Sequence, residues 1–203
     1  DTPSSRGLGD VYKRQSMSKL VTISLAMDLI EEGLFYLDDP VHKYIPEFSN
    51  LMVAVDSNGE SISRSRNEDL DCPHDLVNMD SVMTVQHLFN HTAGFYYALT
   101  SSKCLNEQIG SNKLLQAESG NQLINLLSNL PLIQHPGETY FYGFNTSVLG
   151  LLLERITGTS LRQIFIDRIE KPTKLKGLAY TKPKGIELLP TFTGRDGNLR
   201  EII

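Results

Sequence analysis

Between residues 16 and 32 the apolar side chains Leu20, Val21, Ile23, Leu25, Met27, Leu29 and Ile30 fall on nearly every face of a 3.6-residue repeat. That pattern predicts a helix buried inside the protein, ended by Gly33. Asp39-Pro40 reads as a cap followed by proline at the first helical position, opening a short helix that stops before Pro46. Residues 51 to 55 are a candidate strand, and Asp56-Ser57-Asn58-Gly59 supplies turn residues that would fold it against residues 61 to 63. Residues 64 to 80 are polar and predict a loop. Thr84 caps a helix over 85 to 90, with Gly94 to terminate the turn. Leu123, Ile124, Leu126 and Leu127 predict an amphipathic helix over 121 to 129. Pro136-Gly137 marks a turn before Tyr140-Phe141-Tyr142. A further apolar helix over 148 to 156 ends at Gly158, and Ser160-Leu161-Arg162-Gln163 has the capping-box form for a last helix that Pro172 closes. No internal repeat is present.

Composition narrows the class. With 203 residues and 40% hydrophobic content the chain can bury one substantial core. A net charge of -5 argues against nucleic acid as a partner, because phosphate binding wants a basic surface. The lysines between 171 and 184 are interrupted by Pro172 and Pro183 and read as a solvated loop. The longest apolar stretch, 20 to 30, is too short for a membrane span and is broken by Thr22, Ser24 and Asp28. Cys72 and Cys104 are too few and too far apart to suggest a disulfide framework or a zinc site. Residues 1 to 15 lack apolar periodicity and are expected to be a non-native scar or a disordered terminus, leaving 16 to 203 as a partial domain.

The chemistry-bearing stretch is Ser16-Met17-Ser18-Lys19. Residues i and i+3 share a helix face, so Lys19 can reach the Ser16 oxygen. Serine needs a base to take its proton, and a lysine desolvated near a helix N-terminus loses preference for its charged form. The competing reading is a serine that only caps the helix. A chain of this composition is expected to contain about one S-x-x-K by chance, so context decides. His87 and His91 stand four apart, a spacing that invites zinc, but Leu88 replaces the glutamate of His-Glu-x-x-His and no third ligand is evident. Asn90-His91-Thr92 and Asn145-Thr146-Ser147 fit the glycosylation pattern within core segments.

The context is a series of segments: S-M-S-K-L-V-T, then E-E-G-L-F-Y-L-D-D-P-V-H-K-Y-I-P-E-F, then M-T-V-Q-H-L-F-N-H-T-A-G-F, then H-P-G-E-T-Y-F-Y-G-F-N-T-S-V-L-G. In this order they resemble the serine β-lactamase-related superfamily, most of all its class C β-lactamase branch and the family VIII carboxylesterases, over roughly residues 16 to 180. The resemblance implies an α/β (α+β) fold of the β-lactamase/transpeptidase-like kind. In it a helical lobe packs beside a mainly antiparallel sheet, and this chain would cover mainly the helical lobe. It implies Ser16 as nucleophile, with its backbone N–H as half of an oxyanion hole, and Lys19 and Tyr142 as the proton-transfer groups. Tyr142 matches the tyrosine of the superfamily's Tyr-x-Asn motif. Phe144 stands at that motif's third position and Asn145 one residue later, so Asn145 is a displaced candidate for substrate binding. His91 and Thr92 would tie down the turn at Gly94.

The expected activity is cleavage of small carboxylic esters through an acyl-enzyme, without metal or organic cofactor. The partner is a small-molecule ester or amide substrate. A β-lactamase or D-alanyl-D-alanine carboxypeptidase shares the mechanism, and a non-catalytic binding or scaffold relative is the alternative of another class. Lacking the later strand of the resembled site, the chain by itself is expected to turn over poorly.

Overall fold

The computed structural model describes residues 15–64, 72–98, 100–112, 114–175, 191–195 and 198–202. The expected scar, apart from Gln15, and the lysine-bearing loop beyond residue 175 therefore lie outside the described residues. The chain divides into two compact units, one of residues 1–21 with 162–203 and one of residues 22–161.

A tight turn, Gln15–Met17, leads into helix α1, Ser18–Glu31. Its buried residues Thr22, Leu25, Ala26 and Leu29 recur at three- and four-residue spacing and form one stripe. Leu20 and Met27 are exposed, 63% and 42%. The helix is thus apolar all round in sequence but buries a single face, which corrects the expectation of burial on nearly all faces. Gly33, at φ 76°, ends it with its N–H donated to the Ile30 carbonyl.

The segment after Pro40 forms two short turns of tight helix, Val41–Lys43 and Pro46–Phe48. Asp39 organises them: its carboxylate accepts hydrogen bonds from the Tyr36 N–H, Lys43 Nζ and Tyr44 Oη at 2.9, 2.7 and 2.6 Å. Burial alone would raise this carboxyl, but those donors hold it below the usual carboxylate range.

Strand β1, Met52–Val55, pairs antiparallel with β2, Asp75–Asn78, in the register Met52↔Asn78 to Val55↔Asp75. The expected partner, residues 61 to 63, supplies only a bridge from Ser61 to Val55. On its other edge β1 exchanges backbone bonds with Leu132. Neighbours on both edges bury β1, whereas β2 is exposed at every position. An exposed strand need not alternate apolar and polar residues, and the adjacent Leu76-Val77 pair between Asp75 and Asn78 gave no such alternation, so the strand was concealed within the expected loop.

Helix α2, Val85–Phe89, follows Thr84, and α3, Lys103–Ser111, follows Ser102, whose Oγ accepts the Leu105 N–H at 3.3 Å. Helix α3 was not expected, because only Leu105 and Ile109 of its residues are buried. Its start lies beside the strand region: Cys104 is disulfide-bonded to Cys72 across 32 residues of sequence, with Cα atoms 6.2 Å apart. The sequence, with two cysteines too few and too far apart to suggest a disulfide framework, did not announce this single bond. Their proximity is created by tertiary packing and has no local spacing signature.

Helix α4, Gly120–Ser128, is capped by the Ser119 Oγ, and α5, Asn145–Thr157, ends at Gly158 with φ 64°. Helix α5 packs on α2 and lies against Thr22 of α1 at Gly150. With Leu25, Leu29, Phe48, Val53, Leu88 and Leu132, its residues Val148, Leu149, Leu152 and Leu153 make the core of the 22–161 unit.

The other unit takes in α6, Leu161–Phe165, from Arg162 on, and this helix continues through a wider turn, Ile166–Glu170, into α7, Lys171–Thr173. Pro172 sits inside this last turn, and the helix stops at Lys174, φ 56°. Strands β3, Thr191–Arg195, and β4, Asn198–Ile202, form an antiparallel hairpin. Among the described residues helix predominates over two two-stranded sheets.

Candidate active site

Ser16 lies in the turn that enters α1 and is exposed; Lys19, in the first turn of the helix proper, is half-buried. Residues three apart in helical turns fall on one face, and that is the spacing of Ser16 and Lys19. Both residues belong to the unit of 1–21 with 162–203, and Tyr142 and Asn145 to that of 22–161.

Tyr142 stands on the segment that enters α5, and it is 38% exposed. Its ring is stacked on that of His91, with centroids 5.3 Å apart and planes at 22°. The Tyr97 ring approaches it at 5.6 Å and 59°. Tyr97 also meets Phe144 at 4.5 Å, and Phe144 is buried. Aromatic contacts on two sides leave the Tyr142 ring little freedom to turn.

Two glycines allow this arrangement. A Cβ on Gly143 would collide with the Phe95 carbonyl, and one on Gly94, at φ 93°, would lie 2.6 Å from the Gln134 carbonyl oxygen. Backbone therefore lies on backbone, and the 91–95 turn and the 134–146 segment are laced together. The Phe141 N–H donates to the His91 carbonyl at 2.8 Å, and the Gly137 N–H to that of Thr92 at 2.9 Å. Gln134 Nε2 donates to the carbonyls of Thr92 and Thr139, at 3.4 and 2.5 Å.

His91 is buried at φ 60°, beyond the end of α2, so it does not share a helix face with His87. His87 Nδ1 accepts the Thr84 N–H at 3.2 Å, and burial pulls the His87 pKa down. His91 Nδ1 lies 3.2 Å from Asn145 Nδ2, and its Nε2 lies 3.2 Å from Thr146 Oγ1. Because Asn145 Nδ2 also faces the carbonyls of Phe95 and Phe141, each at 3.4 Å, it is the donor. The neutral His91 ring then accepts at Nδ1 and carries its proton on Nε2. Asn145 is fully buried, and its amide nitrogen is engaged with the support beneath Tyr142. Sequence reasoning missed Tyr97 as a neighbour of Tyr142; the aromatic pair Tyr96-Tyr97 just after the Gly94 turn is the signal that was available.

The Beta-lactamase family matches residues 10–198. ML-236A carboxylate methylbutanoyltransferase mlcH of Penicillium citrinum is 28% identical over 194 residues, which covers 91% of this chain and 42% of that protein. The chain thus spans about two fifths of the length of this curated relative. Unliganded simvastatin synthase (LovD) from Aspergillus terreus superposes with a TM-score of 0.70 at 25% identity, covering 96% of this chain and 48% of that one. EstCE1, a hydrolase with promiscuous acyltransferase activity, gives a TM-score of 0.65 at 23% identity over 91% of this chain and 43% of its own, a likeness of fold. The fold is β-lactamase/transpeptidase-like. The chain belongs to the Beta-lactamase family.

Proposed function

We propose that the protein carrying this chain is a serine hydrolase of small carboxylic esters that works through an acyl-enzyme on Ser16. The Ser16 Oγ attacks the ester carbonyl carbon while Lys19 takes its proton. The tetrahedral oxyanion is held by the Ser16 backbone N–H and a second donor. Collapse breaks the bond to the alkoxide, which leaves as an alcohol with a proton relayed by Tyr142. Water then attacks the acyl-enzyme, releasing the acid and returning the proton to Ser16. These groups suffice for the reaction without a metal or organic cofactor.

The observation that carries the reading is the placement of Ser16 in the turn that enters α1, three residues before Lys19 in the helix's first turn, in a chain of this family. Tyr142, exposed on its support of His91 and Tyr97, adds to it. Asn145, buried as it is, serves in this reading through the position of Tyr142 and not by touching substrate. Ester turnover in Ser16→Ala and Lys19→Ala tests the assignment. Both should lose at least about two powers of ten in kcat, as removal of a nucleophile or a proton-transfer group does.

A second reading is favoured by the similarity to mlcH, whose name describes transfer of a methylbutanoyl group. Here an alcohol replaces water as the acceptor of the acyl group. The ratio of new ester to free acid formed as an added alcohol is raised separates the two.

A further inference from the structure

Three side chains of metal-ligating type, none of them a candidate site residue above, meet where the chain enters β2 and α3. Cys72 Sγ, Cys104 Sγ and a ring nitrogen of His74 lie within 4.8 Å of one another. Ser102 Oγ marks the point they face. It is 2.6 Å from His74 Nε2, 3.3 Å from Cys104 Sγ and 4.0 Å from Cys72 Sγ, on a residue that is fully buried. The two sulfurs are joined as a disulfide.

We propose that in the reduced chain Cys72, His74 and Cys104 bind one soft divalent cation, Zn2+, with solvent in the fourth position. Two thiolates and one imidazole match the donor preference of Zn2+ and balance its charge. Cys104 is the second residue of α3, where free backbone N–H groups favour a thiolate over a thiol. The Cα separation of 6.2 Å suits a shared metal as well as a disulfide. With Zn–S bonds of about 2.3 Å the sulfurs of a tetrahedral site stand roughly 3.7 Å apart, which a turn of the exposed Cys72 side chain can supply. His74 exchanges its bond to Ser102 for the metal, while Ser102 Oγ keeps the Leu105 N–H as the cap of α3.

The chemistry balances without an oxidant. A phosphine takes oxygen from water and leaves two thiols, and each thiol releases a proton when its sulfur binds the cation. The cation then replaces the disulfide as the link between the 72–78 segment and the start of α3. A covalent bond and a metal site would thus serve the same tie under different redox conditions.

The test uses the full chain, reduced anaerobically with a phosphine, desalted and titrated with Co2+ as a spectroscopic stand-in, then with Zn2+ against a chromophoric chelator. The expected result is thiolate-to-cobalt charge-transfer absorption with tetrahedral visible bands, saturating at one equivalent and displaced by Zn2+. Far-UV circular dichroism should stay that of the oxidised protein. Cys104→Ser should abolish the bands, His74→Ala and His74→Asn should each weaken affinity at least tenfold, and the unreduced chain should take up no metal. Absence of the bands in the reduced wild type would overturn the proposal. So would wild-type affinity in both His74 variants, and so would bands that form only as the circular dichroism of a folded chain is lost.

Discussion

The His91 ring lies stacked beneath that of Tyr142, 5.3 Å between centroids, while both His91 nitrogens are engaged by the first two residues of α5. One histidine therefore couples the turn after α2 to the position of the candidate proton-transfer tyrosine. His91→Ala removes the stacked ring and leaves the buried Asn145 amide short of an acceptor. The expected cost is about 2–4 kcal/mol of folding stability, the sum of a cavity and a lost polar contact. Urea unfolding of wild type and variant measures it, and a change below about 0.5 kcal/mol would mean that the ring is not a support.

Tyr142→Phe should lower ester turnover by about two to four powers of ten with little change in thermal melting. Its phenol is more than a third exposed and its ring contacts survive the substitution. Turnover within twofold of wild type would remove Tyr142 from the reaction.

Gly143→Ala forces a methyl group into the Phe95 carbonyl, and the obstacle is main chain, which no side-chain rotation relieves. The expected destabilisation is at least about 2 kcal/mol, against no loss for Gly110→Ala, which lies within α3 without a positive φ and where a Cβ meets nothing within 4 Å. Comparing melting temperatures of the two variants checks the contrast.

Acid should weaken the fold through Asp39. Its carboxyl is held below the ordinary range in the folded chain, so its contribution is complete above the unfolded value of about 3.9 and is lost as pH falls through the lower folded value. Asp39→Asn should therefore lose stability at neutral pH and show a shallower acid decline. Denaturant midpoints at about pH 6 and about pH 3 for both proteins give the comparison, and parallel declines would contradict the assignment.

Esters should be preferred over cephalosporins. Phe144 stands at the third position of the tyrosine motif and is buried against Tyr97, and the neighbouring Asn145 amide is engaged internally. A larger kcat/KM for a cephalosporin than for an activated short-chain ester would overturn this expectation.

The helices that bury a continuous apolar stripe were legible in the sequence. Helix α4 matches its expected span to within a residue, and α5 matches at its Gly158 end. Helix α5 starts three residues earlier than its apolar pattern, at Asn145, because that turn is held by polar contacts with His91 that hydrophobic periodicity does not record. Strand β2 and helix α3 were missed for a related reason: one is wholly exposed and the other buries only Leu105 and Ile109. The Cys72–Cys104 bond, spanning 32 residues, comes from packing alone. At the candidate site, Ser16, Lys19 and Tyr142 could be named from motif order, whereas the support of Tyr142 by His91 and Tyr97 required coordinates.

The central claim is that Ser16 is an activated nucleophile, and covalent labelling addresses it most directly. The protein carrying this chain, treated with a fluorophosphonate, should gain the mass of one phosphonyl group, which peptide mass spectrometry should locate on Ser16. Ser16→Ala should gain none, and Lys19→Ala should label at least tenfold more slowly, because the serine oxygen then lacks its base. A phosphonyl group found on another residue, or an adduct that forms as readily in Ser16→Ala as in wild type, would contradict the account.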